Sequence, residues 1–207
     1  MKKGVLAIIS GFSGAGKGTV IKELLARHEG YVLSISATTR APRPSEKDGV
    51  DYHFTTRDAF EKMIRENGFL ENAVYGNDYY GTPRAFVETN LEEGRHVLLE
   101  IDLQGARQIC EKYPDAVRIF MTPPSIEELE KRLRGRGSED EEAIRRRLSR
   151  AKVEAQAMGE YDYILVNDEV VPCAEKLHTI LQASRMGLNR NLDLVREIQA
   201  DAARIDL

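Results

Sequence analysis

The chain has 207 residues and a formal net charge of −4, with 31% charged and 42% hydrophobic residues. This is the composition of a globular protein with a sizeable core; the acidic balance argues against a nucleic-acid binder, and no apolar run approaches the ~20 residues needed to cross a bilayer. Two cysteines far apart, Cys110 and Cys173, and four histidines without ligand spacing argue against a disulfide framework or a zinc site and fit a reducing cytoplasm.

In chain order, apolar runs alternate with amphipathic segments, the pattern of a parallel sheet wrapped by helices. Val5–Ser10 reads as a buried strand, too short for a secretory signal and followed by a glycine-rich loop where a cleavage site would stand. Thr19–His28 reads as a helix, with Val20, Ile21, Leu24 and Leu25 at helical spacing. Val32–Ser36 is a second short strand, and the prolines and glycine of Ala41–Gly49 predict a loop. Residues 50–95 break the rhythm. Asp51–Phe54 and Phe69–Tyr75 look like strands of a separate, antiparallel sheet, with a helix at about Asp58–Glu66 between them. Thr82-Pro83 predicts a helix start, a capping threonine followed by proline at the first helical position, and that helix stops near Gly94. This stretch reads as an inserted lobe.

The first pattern then resumes. His96–Ile101 and Val117–Met121 are buried strands, and Gln104–Lys112 is a helix ended by Pro114. Ser125-Ile126-Glu127-Glu128 is a capping box that opens a helix, and Gly135-Arg136-Gly137 breaks it. Glu141–Met158 is a long helix with Ile144, Leu148, Ala151 and Ala155 on one face. Tyr163–Val166 is the last strand, and Pro172–Met186 and Leu192–Ile205 are closing helices. Leu188, Leu192, Val195, Ile198 and Ile205 form an apolar stripe that suits either packing on its own subunit or an oligomer contact. Arginines gather at Arg40 and Arg43 and again at Arg132, Arg134, Arg136, Arg145, Arg146, Arg147 and Arg150. In an acidic protein this suits a small anionic ligand; for the second group a solvated helix face stays open.

Gly11-Phe12-Ser13-Gly14-Ala15-Gly16-Lys17 follows a predicted strand and opens a predicted helix. Its glycines let backbone N–H groups approach phosphate oxygens, the helix N-terminus adds partial positive charge, and Lys17 can reach the β- and γ-phosphates of a nucleoside triphosphate. A full P-loop carries Ser or Thr directly after the lysine to touch magnesium. Here Gly18 stands there and the hydroxyl comes at Thr19, about 100° further around the helix. Direct protein coordination of magnesium is therefore in question.

The segment Ser34-Ile35-Ser36-Ala37-Thr38-Thr39-Arg40-Ala41-Pro42-Arg43-Pro44, followed by Gly49-Val50-Asp51-Tyr52-His53-Phe54, resembles the GMP-binding signature of guanylate kinases. Glu71, Gly76-Asn77-Asp78-Tyr79-Tyr80-Gly81-Thr82, Glu100-Ile101-Asp102-Leu103-Gln104-Gly105, Pro123-Pro124-Ser125, Arg132, Gly135-Arg136-Gly137, Arg147 and Val166-Asn167-Asp168 extend the resemblance over residues 4–183. It implies a P-loop NTPase α/β fold: a three-layer α/β/α core with a parallel sheet (residues 4–36 and 95–183), a small α+β GMP-binding lobe (37–94), an arginine-rich lid (134–150) and a C-terminal helical extension (184–207). It also implies a kinase that moves the γ-phosphoryl group of ATP onto GMP with Mg2+ in the cytoplasm.

The same resemblance assigns roles. Gly11, Phe12, Ser13, Gly14, Ala15, Gly16, Lys17, Gly18 and Thr19 would cradle ATP, and Asn167 would touch adenine. Arg40, Arg43, Tyr52 and Tyr80 would hold the GMP phosphate, where arginine forks match phosphate oxygens. Ser36, Glu71 and Thr82 would read guanine, and Glu100 would face the guanosine. Asp102 would support the water shell of magnesium; helix capping is the alternative for either of these last two acids. Lys17, Arg40 and the lid arginines Arg132, Arg136 and Arg147 would stabilise the transferring group. Two rivals remain at this stage, a kinase of another nucleoside monophosphate and a non-catalytic binding module of the same fold.

Overall fold

The computed structural model describes residues 3–135 and 140–205, so Arg136 and Gly137 lie outside the described residues. In chain order the elements are β1 (Leu6–Gly11), α1 (Lys17–Arg27), β2 (Tyr31–Leu33), β3 (Ala37–Thr38), β4 (His53–Phe54), α2 (Arg57–Arg65), β5 (Phe69–Tyr75), β6 (Asp78–Pro83) and α3 (Arg84–Glu92). They continue with β7 (His96–Glu100), α4 (Leu103–Lys112), β8 (Val117–Thr122), α5 (Ile126–Gly135), α6 (Glu141–Gln156), β9 (Tyr163–Val166), α7 (Val170–Arg185) and α8 (Leu192–Ala202).

The larger sheet has five parallel strands in the order β2-β7-β1-β8-β9. Its strands are near-continuous apolar runs because both faces are covered. Alternate residues of β1 point to opposite layers: Ala7 and Ile9 join α1, α5, α6 and α7, whereas Leu6 and Ile8 join Val87 of α3 and Ala106 and Ile109 of α4. This is a three-layer α/β/α core, and the carboxyl ends of β1 and β7 open onto one crevice, the usual ligand position in such sheets.

The smaller sheet has the order β4-β3-β6-β5 and is mixed, since β3 pairs β4 in parallel while β6 pairs both β3 and β5 antiparallel. Its own core is aromatic: Phe60 stacks on Phe69 (centroids 4.3 Å) and on Tyr79 (5.2 Å).

Several expectations need correction. Val32–Ser36 is not one strand: β2 ends at Leu33, and the chain crosses to the smaller sheet at Ala37. Thr82 and Pro83 end β6 rather than opening a helix; Pro83 is itself the cap residue, and α3 begins at Arg84. Ala155 is exposed, because α6 tightens into a 3₁₀ turn at Ala157–Glu160 and buries Ala157 in its place. The Ser125 cap holds, with its Oγ accepting the Glu128 N–H at 3.1 Å. α8 buries no residue among those described, and Leu188, Leu192, Ile198 and Ile205 stay exposed. No helix among the described residues is long and apolar enough to cross a membrane.

Candidate active site

Residues of both sheets line one cleft of about 630 Å³, with Ser13, Lys17 and Gly18 at one end and Ser36, Glu71 and Tyr80 at the other. The first end is the turn from β1 into α1. Gly14 (φ 101°) and Gly16 (φ 88°) hold left-handed conformations that only glycine adopts without strain. No side chain caps α1 and no acid stands in its first turn, so its terminal N–H groups are left for an anion. Lys17 Nζ donates to the carbonyls of Gly11 (2.9 Å) and Phe12 (3.2 Å).

Phe12 and Ala15 are buried, Phe12 edge-on to Phe120 at 5.2 Å, so these two residues contribute backbone to the loop. Asn167, at the end of β9, lies beneath it, fully covered, and Nδ2 donates to the Ala15 carbonyl at 2.7 Å. Arg147 Nη1 donates to Ser13 Oγ at 2.7 Å, so α6 reaches the loop from the other side. Arg132 is anchored by Glu128 (2.8 Å) and by the Asn167 carbonyl (2.9 Å). Thr19, expected in the ATP cradle, is instead exposed and outside the cleft lining, because it sits about 100° further around α1 than Gly18.

At the far end, Glu71 of β5 faces Thr82 of β6 in register. Burial raises the Glu71 carboxyl above the ordinary carboxylate value; the Thr82 hydrogen bond pulls it down and nearby Asp102 pushes it up. A Cβ on Gly105 would lie 2.8 Å from Glu71 Oε2, so glycine there makes room for the carboxylate.

Arg40 is locked in place beside this end. Its Nε donates to the Tyr80 hydroxyl (3.2 Å), Nη1 to the Ala41 carbonyl (2.8 Å) and Nη2 to both oxygens of Glu46 (2.8 and 2.9 Å). Its guanidinium lies 5.5 Å from the ring centroid of Tyr52, which meets Tyr80 edge-on. Glu46 also accepts the Arg43 N–H at 2.8 Å, and the Arg40 guanidinium holds its carboxyl below the ordinary value. Sequence reasoning missed Glu46; the available signal was an acid three residues after Arg43, the first in a loop that opens on two arginines.

Between the two ends stand Glu100 and Asp102. Glu100 opens onto the cleft, yet desolvation by the surrounding protein raises its carboxyl, with Lys17 and Lys22 opposing. A Cβ on Gly18 would lie 3.4 Å from Glu100 Oε2. Asp102 caps α4, Oδ1 accepting the Gly105 N–H at 2.9 Å. Sequence reasoning gave no site role to Tyr75 or Glu154 and placed Arg150 only within the arginine group suited to an anionic ligand; all three line the same cleft.

A parallel sheet with a lysine-bearing glycine loop at its carboxyl edge, opening onto a cleft shared with a second, smaller sheet, defines a P-loop kinase. The comparisons with known proteins narrow the class. The guanylate kinase family model matches residues 3–184. The guanylate kinase of Caldanaerobacter subterraneus is 47% identical over 97% of this chain and 98% of its own length. That of Clostridium perfringens is 48% identical over 96% of this chain and 92% of its own. The crystal structure of guanylate kinase from Anaplasma phagocytophilum superposes with a TM-score of 0.79 at 34% identity, covering 100% of this chain and 98% of that one. The chain belongs to the guanylate kinase family, and its activity is that of an ATP:GMP phosphotransferase.

Proposed function

We propose that ATP binds at the P-loop end of the cleft, GMP at the smaller-sheet end, and that the γ-phosphoryl group passes in line between them. The observation that carries this arrangement is Glu71, a buried carboxylate opening onto the same cleft as Lys17. Guanine presents N1–H and N2–H₂ donors that a carboxylate accepts, and adenine lacks that donor pair, so AMP leaves Glu71 desolvated and unpaired. Ser36 and Thr82 complete the base site; Arg40, Arg43, Tyr52 and Tyr80 take the GMP phosphate. Glu46 orients Arg40 for it.

The acceptor phosphate is anionic near neutral pH and needs no general base. Catalysis is then positioning and electrostatics. Lys17 and the arginines Arg132, Arg136 and Arg147 neutralise charge on the transferring group, and the P-loop amides hold the donor phosphates. Among the described residues no group of three or more His, Cys, Asp or Glu is placed to hold a metal ion. The carboxylates present fit a magnesium ion brought by the nucleotide, which keeps several of its waters. When bound, it would neutralise the β- and γ-phosphate oxygens, with Asp102 supporting its water shell and Glu100 facing the guanosine. Asn167 serves the donor site from below, through Ala15, in addition to its proposed adenine contact.

The lobe at 37–94, the lid at 134–150 and the extension from 184 are the units of this reading, and a cytoplasmic setting suits the free Cys110 and Cys173. The test is coupled ADP release with ATP and magnesium against GMP, AMP, CMP and UMP in turn. GMP is expected to exceed each of the others by at least about 10²-fold in kcat/KM. Comparable turnover of another monophosphate would overturn the base assignment while leaving the P-loop role intact.

A further inference from the structure

Arg150 lies on α6, one turn beyond Arg147, and lines the cleft. Its guanidinium carbon sits 5.6 Å from the ring centroid of Tyr75. Tyr75 is the last residue of β5, so this contact spans the cleft from the helix that touches the P-loop to the smaller sheet. Tyr75 in turn meets Tyr80 edge-on at 5.9 Å, and the Tyr80 hydroxyl accepts from Arg40. A continuous path of rings and guanidinium groups therefore joins the two ends.

The neighbouring arginines of this segment are already committed to acids: Arg134 to Glu130 and Glu141, Arg145 to Glu141, and Arg146 to Glu142. Arg150 packs on the Tyr75 ring and, among the described residues, forms no ion pair within 4 Å, although Glu154 one turn further along α6 lies near enough to feel its charge. A guanidinium laid on a ring keeps its in-plane N–H edge available for hydrogen bonds. That edge stands in a cleft whose lining also carries Lys17, Lys22 and Arg43 as cations, and into which two nucleotides would bring further negative charge. An arginine buttressed there suits planar recognition of phosphate oxygens.

We propose that Arg150 is a further substrate-phosphate ligand, held by Tyr75 over the region where the donor and acceptor phosphates meet. This rests on the assignment of Lys17 and Arg43 to the two phosphate ends. The side chain bridges the ends rather than serving one, so its loss falls hardest on a ligand that fills both.

The full-length chain and the variants Arg150→Met, Arg150→Lys, Tyr75→Leu and Arg43→Met are titrated by calorimetry with an adenosine–guanosine pentaphosphate, which spans both sites. Steady-state kinetics and melting temperatures accompany the titrations. Arg150→Met is expected to weaken the bisubstrate ligand about 10- to 100-fold, the loss of one or two charge-assisted hydrogen bonds, and to lower kcat by a similar factor at an unchanged melting temperature. Arg150→Lys restores part of the loss, and Tyr75→Leu gives a smaller loss in the same direction. Bisubstrate affinity and kcat within twofold of the parent in Arg150→Met overturn the proposal. So does a matched drop in melting temperature in Arg150→Met and Tyr75→Leu without loss of affinity, which would make the contact a structural brace. If Arg43→Met is silent as well, the assignment of the acceptor end fails; if it raises the KM for GMP while Arg150→Met is silent, the proposal alone fails.

Discussion

Thr82 donates its hydroxyl proton to Glu71 Oε1 at 2.6 Å, across the β5–β6 ladder, and both side chains are shielded from solvent. One carboxylate oxygen is thus fixed by the protein and the other is left for a ligand donor. Burial raises the carboxyl of Glu71 above the ordinary carboxylate value, against the pull of the Thr82 hydrogen bond, so folding makes the charged form that guanine requires more costly than in the unfolded chain.

Two outcomes follow for Glu71→Gln. The kcat/KM for GMP should fall on the order of 10²-fold, because an amide cannot accept from both guanine donors. The sign of the linkage is that a raised carboxyl favours folding below its unfolded value and loses that contribution as pH rises through the folded one. At neutral pH the variant, which carries no ionisable group there, should therefore melt above the parent. Calorimetric scans from pH 4 to 8 check it: a gap that fails to shrink towards acid refutes the burial argument.

The pairing behind this prediction is invisible along the chain. Glu71 and Thr82 meet because β6 folds back on β5, whereas Thr82-Pro83 read locally as a helix start. The signal of a cap and the signal of a strand end share the same residue types, and the tertiary pairing decided between them. The P-loop was legible because its chemistry needs adjacent residues: Gly14, Gly16 and Lys17 carry the left-handed turns and the charge within one short segment. The parallel sheet was legible because strands covered on both faces must be apolar throughout. Arg150 and Tyr75 were not, since a contact between residues so distant in sequence leaves no periodic trace.

Lys17→Ala should lower turnover on the order of 10²-fold or more, the loss seen when one charge-stabilising donor is removed from a transferring group. Lys17 Nζ holds the Gly11 and Phe12 carbonyls, so the melting temperature is measured alongside turnover to separate a folding defect from loss of the charge. Near-normal turnover in a folded Lys17→Ala variant would end the assignment.

Glu46→Gln separates orientation from charge at the acceptor end. The carboxylate grips Arg40 with both oxygens and ties it to the Arg43 backbone. An amide keeps the shape but offers one acceptor, so Arg40 loses its fixed direction. The KM for GMP should rise about 10-fold with the KM for ATP unchanged, the effect of loosening one charge-assisted contact. If Glu46 merely competed with phosphate for Arg40, the same variant would bind GMP more tightly, so the direction of the change in KM discriminates the two roles.

Asn167→Ala removes the donor that holds the Ala15 carbonyl from beneath the P-loop. A buried acceptor left unpaired costs about 1–3 kcal/mol, and the loop it anchors should lose its fixed curvature. The KM for ATP should rise about 10-fold while that for GMP stays put. Asn167→Asp should be worse, because it places an acceptor against a carbonyl. A variant whose defect lies in GMP binding would instead tie this residue to the acceptor end.

His96 sits at the opposite edge of the core from the cleft, fully covered, with Nδ1 accepting the Val5 N–H at 3.1 Å and Nε2 without a partner. Burial, with Arg185 and Arg190 nearby, pushes its pKa down to about 4, from an ordinary value of 6.5. A base whose pKa is depressed by folding contributes stability above its unfolded value, and that contribution drains away as pH falls through the folded one. The window is therefore about pH 6.5 down to 4, and the full difference is on the order of 3 kcal/mol. His28 and His178 stack on one another at 3.7 Å, and Tyr31 links His178 to the His96 ring. His96→Gln keeps an acceptor for Val5 but cannot titrate. Denaturant titrations at several pH values should show the parent losing stability across this window and the variant losing distinctly less; parallel curves would mean that His96 enters the unfolded and folded states with the same proton affinity.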